Sequence, residues 1–418
     1  MEKKFDKDYF TRDRIKLGTK GSFQPDQVNE EYLKVFADCG FDWVVVNPKN
    51  AYGEVRDKIL DFCDKEGIEV YLDDRKTCYD KELYKEYENH VCYTGSYLND
   101  EPGTDEMDEL AERAKKYLEE TGRYPHINLL PMYANAAQLK YGAGVAKIEY
   151  YDPDPELYYK YCTKWAQLTP ADAMCVDIYP LRCMLENQTQ RATYANYIEN
   201  INYFARAARE NNKEFYAYIQ AYGWNPSMRH ADVDSYRWQI YSMLSFGCKG
   251  IVYWAYGSEA NFTPEAIVDL NGNPTPLYYA TQYTIKEIRK LSDVYCAYKN
   301  IGAFNVNYNE ETCAYLRMTN PVEFPAIKEI KGYTPWDEPS PLLVGCFEKK
   351  DGKGKAFTIV NMRELLTHYQ AKARFTLDEQ YTKVTAYIKG EPTVLTPDEN
   401  GEYTIRLECG EGVFVTID

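Results

Sequence analysis

This chain of 418 residues has fewer basic than acidic residues, and it shows neither a long apolar run nor an apolar leader. Lysine and arginine number 49 against 65 aspartates and glutamates, a formal net charge of −16. Polyanions bind proteins mainly through Lys and Arg, so this balance argues against nucleic acid and anionic membranes as partners. No run approaches the roughly 18 apolar residues of a membrane-spanning helix, and no apolar signal segment follows Met1.

Cysteine pairs and histidine clusters are missing as well. The 12 cysteines are scattered singly, none lies in a Cys-x-x-Cys pair, and several, such as Cys175 and Cys248, fall in apolar runs. This usage predicts reduced, buried thiols in a cytoplasmic protein. The chain has only four histidines, and none is spaced with a cysteine or a second histidine as zinc ligands usually are. We therefore expect no metal site, and no cofactor motif is recognisable.

Apolar segments with helical or strand character dominate the first 300 residues. Helices are predicted where apolar residues recur at helical spacing, as in residues 30–39, 105–120 and 233–246. Eight short apolar runs are interspersed, each about 25–45 residues after the previous one, the length that a strand–helix unit needs. The predicted strands are Ile15–Gly18, Trp43–Val46, Ile68–Leu72, Tyr93–Leu98, Ile127–Leu130, Ala173–Val176, Phe215–Ile219 and Gly250–Trp254.

Eight successive strand–helix units predict a (β/α)8 barrel, a TIM barrel of the α/β class. A doubly wound sheet is the alternative, but no glycine-rich phosphate loop follows the first strand. After Tyr295 the segments become short and β-rich, with turn signals such as Lys350-Asp351-Gly352 between them. We predict a barrel domain over residues 1–297 and a small antiparallel β-sandwich over residues 298–418.

Barrel enzymes place their working residues at the carboxyl ends of the strands and in the loops that follow. Carboxylates, amides and aromatic rings all occur at these positions, an inventory typical of a site for a small carbohydrate. Carboxylates serve acid–base roles, amides bind hydroxyls, and aromatic faces stack on pyranose rings. The candidate site residues are Asn47, Asp73, Asp100, Glu101, Tyr133, Asn135, Asp177, Tyr179, Gln220, Trp224, Trp254 and Glu259.

The most informative of these positions is the segment Asn99-Asp100-Glu101-Pro102 after the fourth strand. Adjacent carboxyl groups do not ionise independently, and the raised pKa of one of them is what a general acid needs at neutral pH. The competing interpretation is a capping cluster for the next helix, because Asp100, Thr104 and Asp105 also suit a helix N-terminus.

These motifs resemble the glycoside hydrolases of clan A, the relatives of β-galactosidases and cellulases. The similarity is greatest to glycosidase-like proteins of gut bacteria, and it covers most of residues 10–290. It rests on Asp100-Glu101-Pro102-Gly103 after strand four, Gln220-Ala221-Tyr222-Gly223 after strand seven, the approach to strand eight at 246–251, and the loop at 268–278. The resemblance implies that Glu101 is the general acid of a glycosidase.

One departure from that pattern leaves the second catalytic group open. Retaining members of the clan carry a nucleophilic glutamate after strand seven, where this chain has Gln220. Another carboxylate can take the role (Asp177 is favoured over Asp73, Asp74 and Glu259), which at a separation of about 6.5–9.5 Å would give inversion. Alternatively, the acetamido group of the substrate acts as nucleophile and Asp100 orients it. A third alternative is an inactive carbohydrate-binding protein derived from a glycosidase, or a variant altered to trap substrate.

Several further expectations concern single residues. The neighbours Asp73 and Asp74 are predicted to point to opposite sides of their strand, and His126, at a strand start, is expected to be structural. An aldolase or isomerase would need a strand-end lysine, and Lys49 is the only lysine near a predicted strand end. A homo-oligomer is compatible with this architecture.

Overall fold

A computed structural model describes residues 13–21, 23, 28–74, 84–144, 154–181, 196–223, 228–229, 231–259, 263–363, 365 and 368–418. Eight parallel strands form a closed barrel in which β1 pairs with both β2 and β8. This closure confirms the predicted TIM barrel over a doubly wound sheet. The strands are β1 Lys16–Gly21, β2 Trp43–Val46, β3 Glu69–Leu72, β4 Tyr93–Asp100, β5 Tyr124–Leu129, β6 Ala173–Asp177, β7 Glu214–Gln220 and β8 Cys248–Trp254.

The helices that surround the barrel begin and end at recognisable capping residues. The side chain of Asn29 accepts a hydrogen bond from the Tyr32 amide, and Gly40 ends the same helix at a φ of 100°, which a residue without a Cβ adopts at little cost. The described helices are α1 Glu30–Cys39, α2 Gly53–Glu66, α3 Met107–Thr121, α4 Ala136–Tyr141, α5 Pro155–Leu168, α6 Tyr197–Glu210, α7 Val233–Ser245 and α8 Pro276–Cys296.

Large aromatic side chains fill the barrel interior because small residues on neighbouring strands make room for them. A Cβ on Gly18 would lie 2.3 Å from the ring of Trp43, and a Cβ on Gly250 would lie 2.3 Å from the ring of Tyr216. Trp43 packs with Tyr97 and other inward-facing residues in a buried cluster. The barrel is therefore a packed core and not a pore.

The second domain is a sandwich of two antiparallel sheets, which confirms the predicted fold class. One sheet has the order β10-β13-β16, and the other has the order β15-β14-β17-β12-β11-β9. The strands are β9 Tyr298–Val306, β10 Ile327–Tyr333, β11 Leu342–Lys349, β12 Lys355–Asn361, β13 Ala371–Leu377, β14 Val384–Ile388, β15 Glu391–Leu395, β16 Tyr403–Leu407 and β17 Gly412–Ile417. Helix α8 ends at Cys296 and β9 begins at Tyr298; the domain boundary between residues 297 and 298 stays a prediction.

Buried thiols are also found as predicted. The ten described cysteines are all buried, while Cys78 and Cys183 lie outside the described residues. Within the described ranges, no helix combines the length and the apolar character needed to cross a bilayer.

Candidate active site at the carboxyl end of the barrel

Lys20, Tyr97 and Asn128 are site residues that are not among the sequence-predicted candidates. Strand β1 extends to Gly21, beyond its predicted end, so that the Lys20 side chain lies among the carboxyl ends of the strands. Its ammonium nitrogen is 3.7 Å from Asp73 Oδ2, 3.5 Å from Asp100 Oδ2 and 3.7 Å from the centre of the Tyr97 ring. The expectation that only Lys49 lies near a strand end is therefore wrong.

Asp100 and Asp177 are joined through the amide of Asn128. The Nδ2 group of Asn128 donates to Asp177 Oδ1 at 2.8 Å and to Asp100 Oδ1 at 3.3 Å. The Tyr97 hydroxyl donates to the same Asp100 oxygen at 2.5 Å. Burial, followed by the negative charge of Asp100, raises the pKa of Asp177 to about 7. Asp177 therefore gains or loses its proton near neutral pH, while Lys20 and Tyr97 contact Asp100.

Glu101 follows directly, at the tip of β4, and its backbone is held in place. The residue has a positive φ of 55°, its N–H donates to the Asn128 carbonyl at 2.8 Å, and its own carbonyl accepts from Ala143 at 3.1 Å. The side chain is half-buried. Asn128 thus contacts Asp100, Glu101 and Asp177, and brings the three catalytic candidates to one place.

The turn beyond Glu101 is tightly packed. The Tyr161 hydroxyl, on α5, donates to the Pro102 carbonyl at 2.8 Å and accepts from the Leu130 amide at 3.1 Å. A Cβ on Gly103 would lie 2.3 Å from the Gly142 nitrogen, so the chain needs glycine at this close approach. Burial, and then the charges of nearby groups including Glu101 and Asp177, raise the pKa of Tyr161.

The competing interpretation of the Asp-Glu segment as a helix cap does not fit this geometry. Helix α3 begins only at Met107, and its N-cap residue, Glu106, makes no side-chain capping bond. The Asp100 carboxylate instead contacts Lys20, Tyr97 and Asn128. The segment therefore contributes to the barrel mouth.

Asp73 and Asp74 directly follow β3, and their side chains make separate contacts, in agreement with the prediction that they point to opposite sides. Asp73 lies beside Lys20, whereas Asp74 accepts a hydrogen bond from the Tyr87 hydroxyl. Arg75 lies outside the described residues. Of the two carboxylates, Asp73 is the one that shares a cation with Asp100.

Gln220 occupies the strand-seven position but is not available to a sugar. Its side chain is fully buried. The carbonyl oxygen accepts from the Leu181 amide at 3.0 Å, and Nε2 lies 3.2 Å from the Leu181 carbonyl, 3.3 Å from that of Tyr222 and 3.1 Å from that of Arg229. We therefore correct its predicted role: Gln220 ties loops together because its amide is used by their backbone.

Asn135 and Glu259 are also placed differently from a shared sugar site. The Asn135 side chain caps α4, with the Gln138 amide donating to it at 2.9 Å in a reciprocal capping box. This corrects its predicted role, and the spacing Asn-x-x-Gln could have shown it. Glu259 pairs with Lys49 at 3.5 Å on a partly exposed rim.

The aromatic candidates surround the carboxylates. Trp254 ends β8 and is half-buried, with the Lys20 nitrogen 5.6 Å from its ring. Tyr179 packs edge-on against Tyr222 at 5.9 Å between ring centres. Burial, and then the negative charge of Asp177, raise the pKa of Tyr179, and Tyr133 contributes to the same shift. The remaining candidates are Asn47, which directly follows β2, and Trp224, which lies outside the described residues.

His126 lies inside the barrel below this site. Its Nε2 atom is 3.3 Å from the Tyr218 hydroxyl, and its ring packs against Trp43, Tyr71 and Tyr97. Burial, and then the positive charge of Lys20, lower its pKa to about 3, so the imidazole is neutral at ordinary pH. This agrees with a structural role.

Two groups of side chains away from these carboxylates have the composition of metal ligands. They are Asp64 with His90 and Cys92, and Asp234 with His368 and Cys409. In each group the histidine Nδ1 is already bonded to the aspartate, at 2.7 Å and 3.0 Å respectively. The expectation that the protein uses no metal stays a prediction.

No sequence family model and no curated protein matches the chain. Solved structures do match its fold. One is a protein from Bacteroides fragilis proposed to be an alpha-galactosidase, with a TM-score of 0.52 and 10% identity over 97% of this chain and 79% of that one. Another is a catalytic mutant of a family 42 beta-galactosidase from G. stearothermophilus, with a TM-score of 0.53 and 10% identity over 97% and 98%. At this identity the likeness shows the fold alone.

Proposed function

We propose that this protein is a glycosidase that hydrolyses a glycosidic bond in a small oligosaccharide or glycoside at the carboxyl end of its barrel. The observation that carries the proposal is the triad Asp100, Glu101 and Asp177 around Asn128. A buried carboxyl group with a pKa near 7 beside further carboxylates is the equipment of acid–base catalysis. The fold shared with two structures described as galactosidases supports the same reaction class.

In the proposed reaction Glu101 is the general acid and Asp177 is the general base. Ionised Asp177 takes a proton from a water molecule, whose oxygen attacks the anomeric carbon. The bond from that carbon to the leaving oxygen breaks, and Glu101 gives its proton to that oxygen. This scheme inverts the anomeric configuration. Asp100, held by Lys20 and Tyr97, faces the positive charge that develops on the sugar ring.

Substrate recognition in this proposal depends on the half-buried rings around the carboxylates. Tyr133, Tyr179 and Trp254 offer apolar faces for a pyranose ring, and Asp73 offers an acceptor for a hydroxyl. The proposed partner is therefore a small carbohydrate. The cytoplasmic location and a homo-oligomeric state stay predictions.

The test is kinetic and uses three variants. Glu101→Gln and Asp177→Asn are each expected to lower kcat/KM on aryl glycosides or natural disaccharides by about 10²–10⁴-fold. Glu109→Gln, the same charge change on the exposed side of α3, is expected to leave it unchanged. The scheme needs ionised Asp177 and protonated Glu101 in the same enzyme molecule. With Glu101 still protonated, the wild-type kcat/KM is expected to rise as pH increases through about 7.

Two outcomes would contradict this assignment. A kcat/KM that falls as pH rises through about 7 would make Asp177 the proton donor. Retention of more than about a tenth of the activity in Glu101→Gln would remove Glu101 from that role. NMR of the first-formed anomer separates inversion from the scheme in which Asp100 orients an acetamido group, because only the latter retains the configuration.

The placement of Gln220 favours a second candidate, a carbohydrate-binding protein without turnover. The strand-seven position that carries the nucleophile in the family resembled is here a buried amide committed to backbone contacts. This candidate predicts saturable sugar binding by calorimetry and no product by mass spectrometry after long incubation. Product formation that depends on Glu101 would exclude it.

A further inference from the structure

A cavity lies at the amino end of the barrel, opposite the proposed active site, where the barrel meets the sandwich. It has a volume of about 250 Å³ and is lined by the end of α6, the starts of β7 and β8, and the sandwich strands β9 and β11. Its apolar wall consists of Phe215, Phe246, Tyr295, Tyr298 and Phe347. Clefts between domains with an apolar wall and a few polar groups are common ligand sites.

The charged residues of this cavity are mostly basic, in contrast to the whole chain with its net charge of −16. The acidic lining residue is Glu214, against five basic ones: Arg209, Lys213, Lys249, Lys299 and Lys350. Asp13 bonds to two of these lysines, Lys249 and Lys350. Lys213 donates to the backbone carbonyls of Thr169 and Ala171. Of the five lining cations, Arg209 and Lys299 are therefore the two with neither a carboxylate nor a backbone carbonyl as partner in the described part of the chain.

The side chain of Arg209 is held in a fixed orientation by a hydrogen bond to an amide and not by an ion pair. Its Nη1 group donates to Asn300 Oδ1 at 3.1 Å, and it forms no ion pair with any carboxylate in the described part of the chain. The amide of Asn300 is itself fixed, because Nδ2 contacts the carbonyls of Ser245, Gly302 and Cys346 at 3.0–3.1 Å. Burial lowers the pKa of Arg209, and the negative charge of Glu210, the next residue, opposes this only in part.

We propose that this cavity binds a small organic anion, with a carboxylate or phosphate group on Arg209 and an apolar body against the aromatic wall. The guanidinium plane presents N–H donors in the fork that matches either group, and Asn300 occupies one of them. An anion supplies an ion-pair partner, which the half-buried Arg209 does not have among the described residues. Lys299, exposed on β9, adds long-range attraction at the entrance.

The experiment is calorimetric titration of the full-length protein with phenyl phosphate, benzoate and the neutral analogue benzyl alcohol. At least one of the two anions is expected to bind saturably, more weakly as salt is added, whereas benzyl alcohol is not. Tighter binding of phenyl phosphate or of benzoate identifies the phosphate or the carboxylate as the preferred group. Absence of saturable binding of both anions up to about 10 mM would overturn the proposal.

Substitutions of single basic residues test whether the anion binds in this cavity. Arg209→Gln is expected to weaken anion binding at least about tenfold, while Arg206→Gln is not, although it removes the same charge one turn earlier on α6. Arg206 is bonded to Glu210 at 2.8 Å and does not line the cavity. Lys299→Gln, an exposed position whose change leaves the fold intact, is expected to weaken binding several-fold. Equal binding by wild type, Arg209→Gln and Lys299→Gln would place the anion elsewhere and refute the proposal.

Discussion

Lys20 places a positive charge among the carboxylates at the barrel mouth. Its ammonium group lies within 3.7 Å of both Asp73 and Asp100, and its positive charge opposes the burial that raises the pKa of Asp177. Lys20→Met removes that charge, so the pKa of Asp177 is expected to rise further. The acidic limb of the kcat/KM profile is then expected to move to higher pH.

The matched control is Lys49→Met, because Lys49 pairs with Glu259 on the partly exposed rim. Its profile is expected to coincide with that of the wild type. An acidic limb that stays in place in Lys20→Met would show that another group sets the charge of Asp177.

The substitution Gln220→Glu would introduce the glutamate that retaining members of the resembled clan carry after strand seven. The new carboxylate would face the carbonyls of Leu181, Tyr222 and Arg229 without a hydrogen to donate. The free energy of unfolding is expected to fall by about 1–3 kcal/mol or more in urea denaturation, with no gain in activity. Gln380→Glu, on an exposed turn, is the control, and its stability is expected to equal that of the wild type. A gain in turnover by Gln220→Glu without loss of stability would contradict this account.

At the scale of elements, the barrel strands depend on two glycines that accommodate large rings. Gly250→Ala would place a Cβ 2.3 Å from the Tyr216 ring inside a packed barrel. The free energy of unfolding is expected to fall by about 1–3 kcal/mol. Gly144→Ala, where no atom lies within 4 Å of the new Cβ, is expected to be neutral in the same urea titration. Equal stability of the two variants would mean that β8 shifts freely against β7.

Elements also differ in how readily they could be predicted. The apolar runs predicted all eight barrel strands, because burial on both faces leaves a local signal. The predicted end of β1, Gly18, lies before the observed end, Gly21, because Thr19 and Lys20 are polar although both are buried in the folded chain. Because of this error, the sequence-based prediction of the site does not include Lys20. Hydrophobicity does not reveal a buried lysine whose partners, Asp73 and Asp100, are distant in sequence.

At the scale of the whole molecule, Arg237 connects the barrel to the sandwich. From α7 it donates to Glu287 on α8 at 2.9 and 3.0 Å, and to Glu408, between β16 and β17, at 3.0 Å. Arg237→Gln leaves Glu287 buried with the Tyr241 hydroxyl as a remaining partner. The free energy of unfolding is expected to fall by about 3–5 kcal/mol in urea denaturation.

The control for this prediction is Arg374→Gln. Arg374 pairs with Asp337 on the exposed surface of the sandwich, where the expected change is about 0–1 kcal/mol. Similar losses in the two variants would show that the buried contacts of Arg237 contribute no more than a surface pair does.

The sequence by itself determined the fold class, the order of the strands and the positions of the mouth carboxylates along the chain. These are properties of local periodicity and of which residues end each strand. Only the tertiary structure decided which side chains meet: Asn128 joins Asp100 to Asp177, Lys20 enters the mouth, and Gln220 turns to the loops at Leu181 and Arg229. The physical reason is that burial, charge proximity and pKa depend on residues far apart in sequence, which only the closure of the barrel brings together.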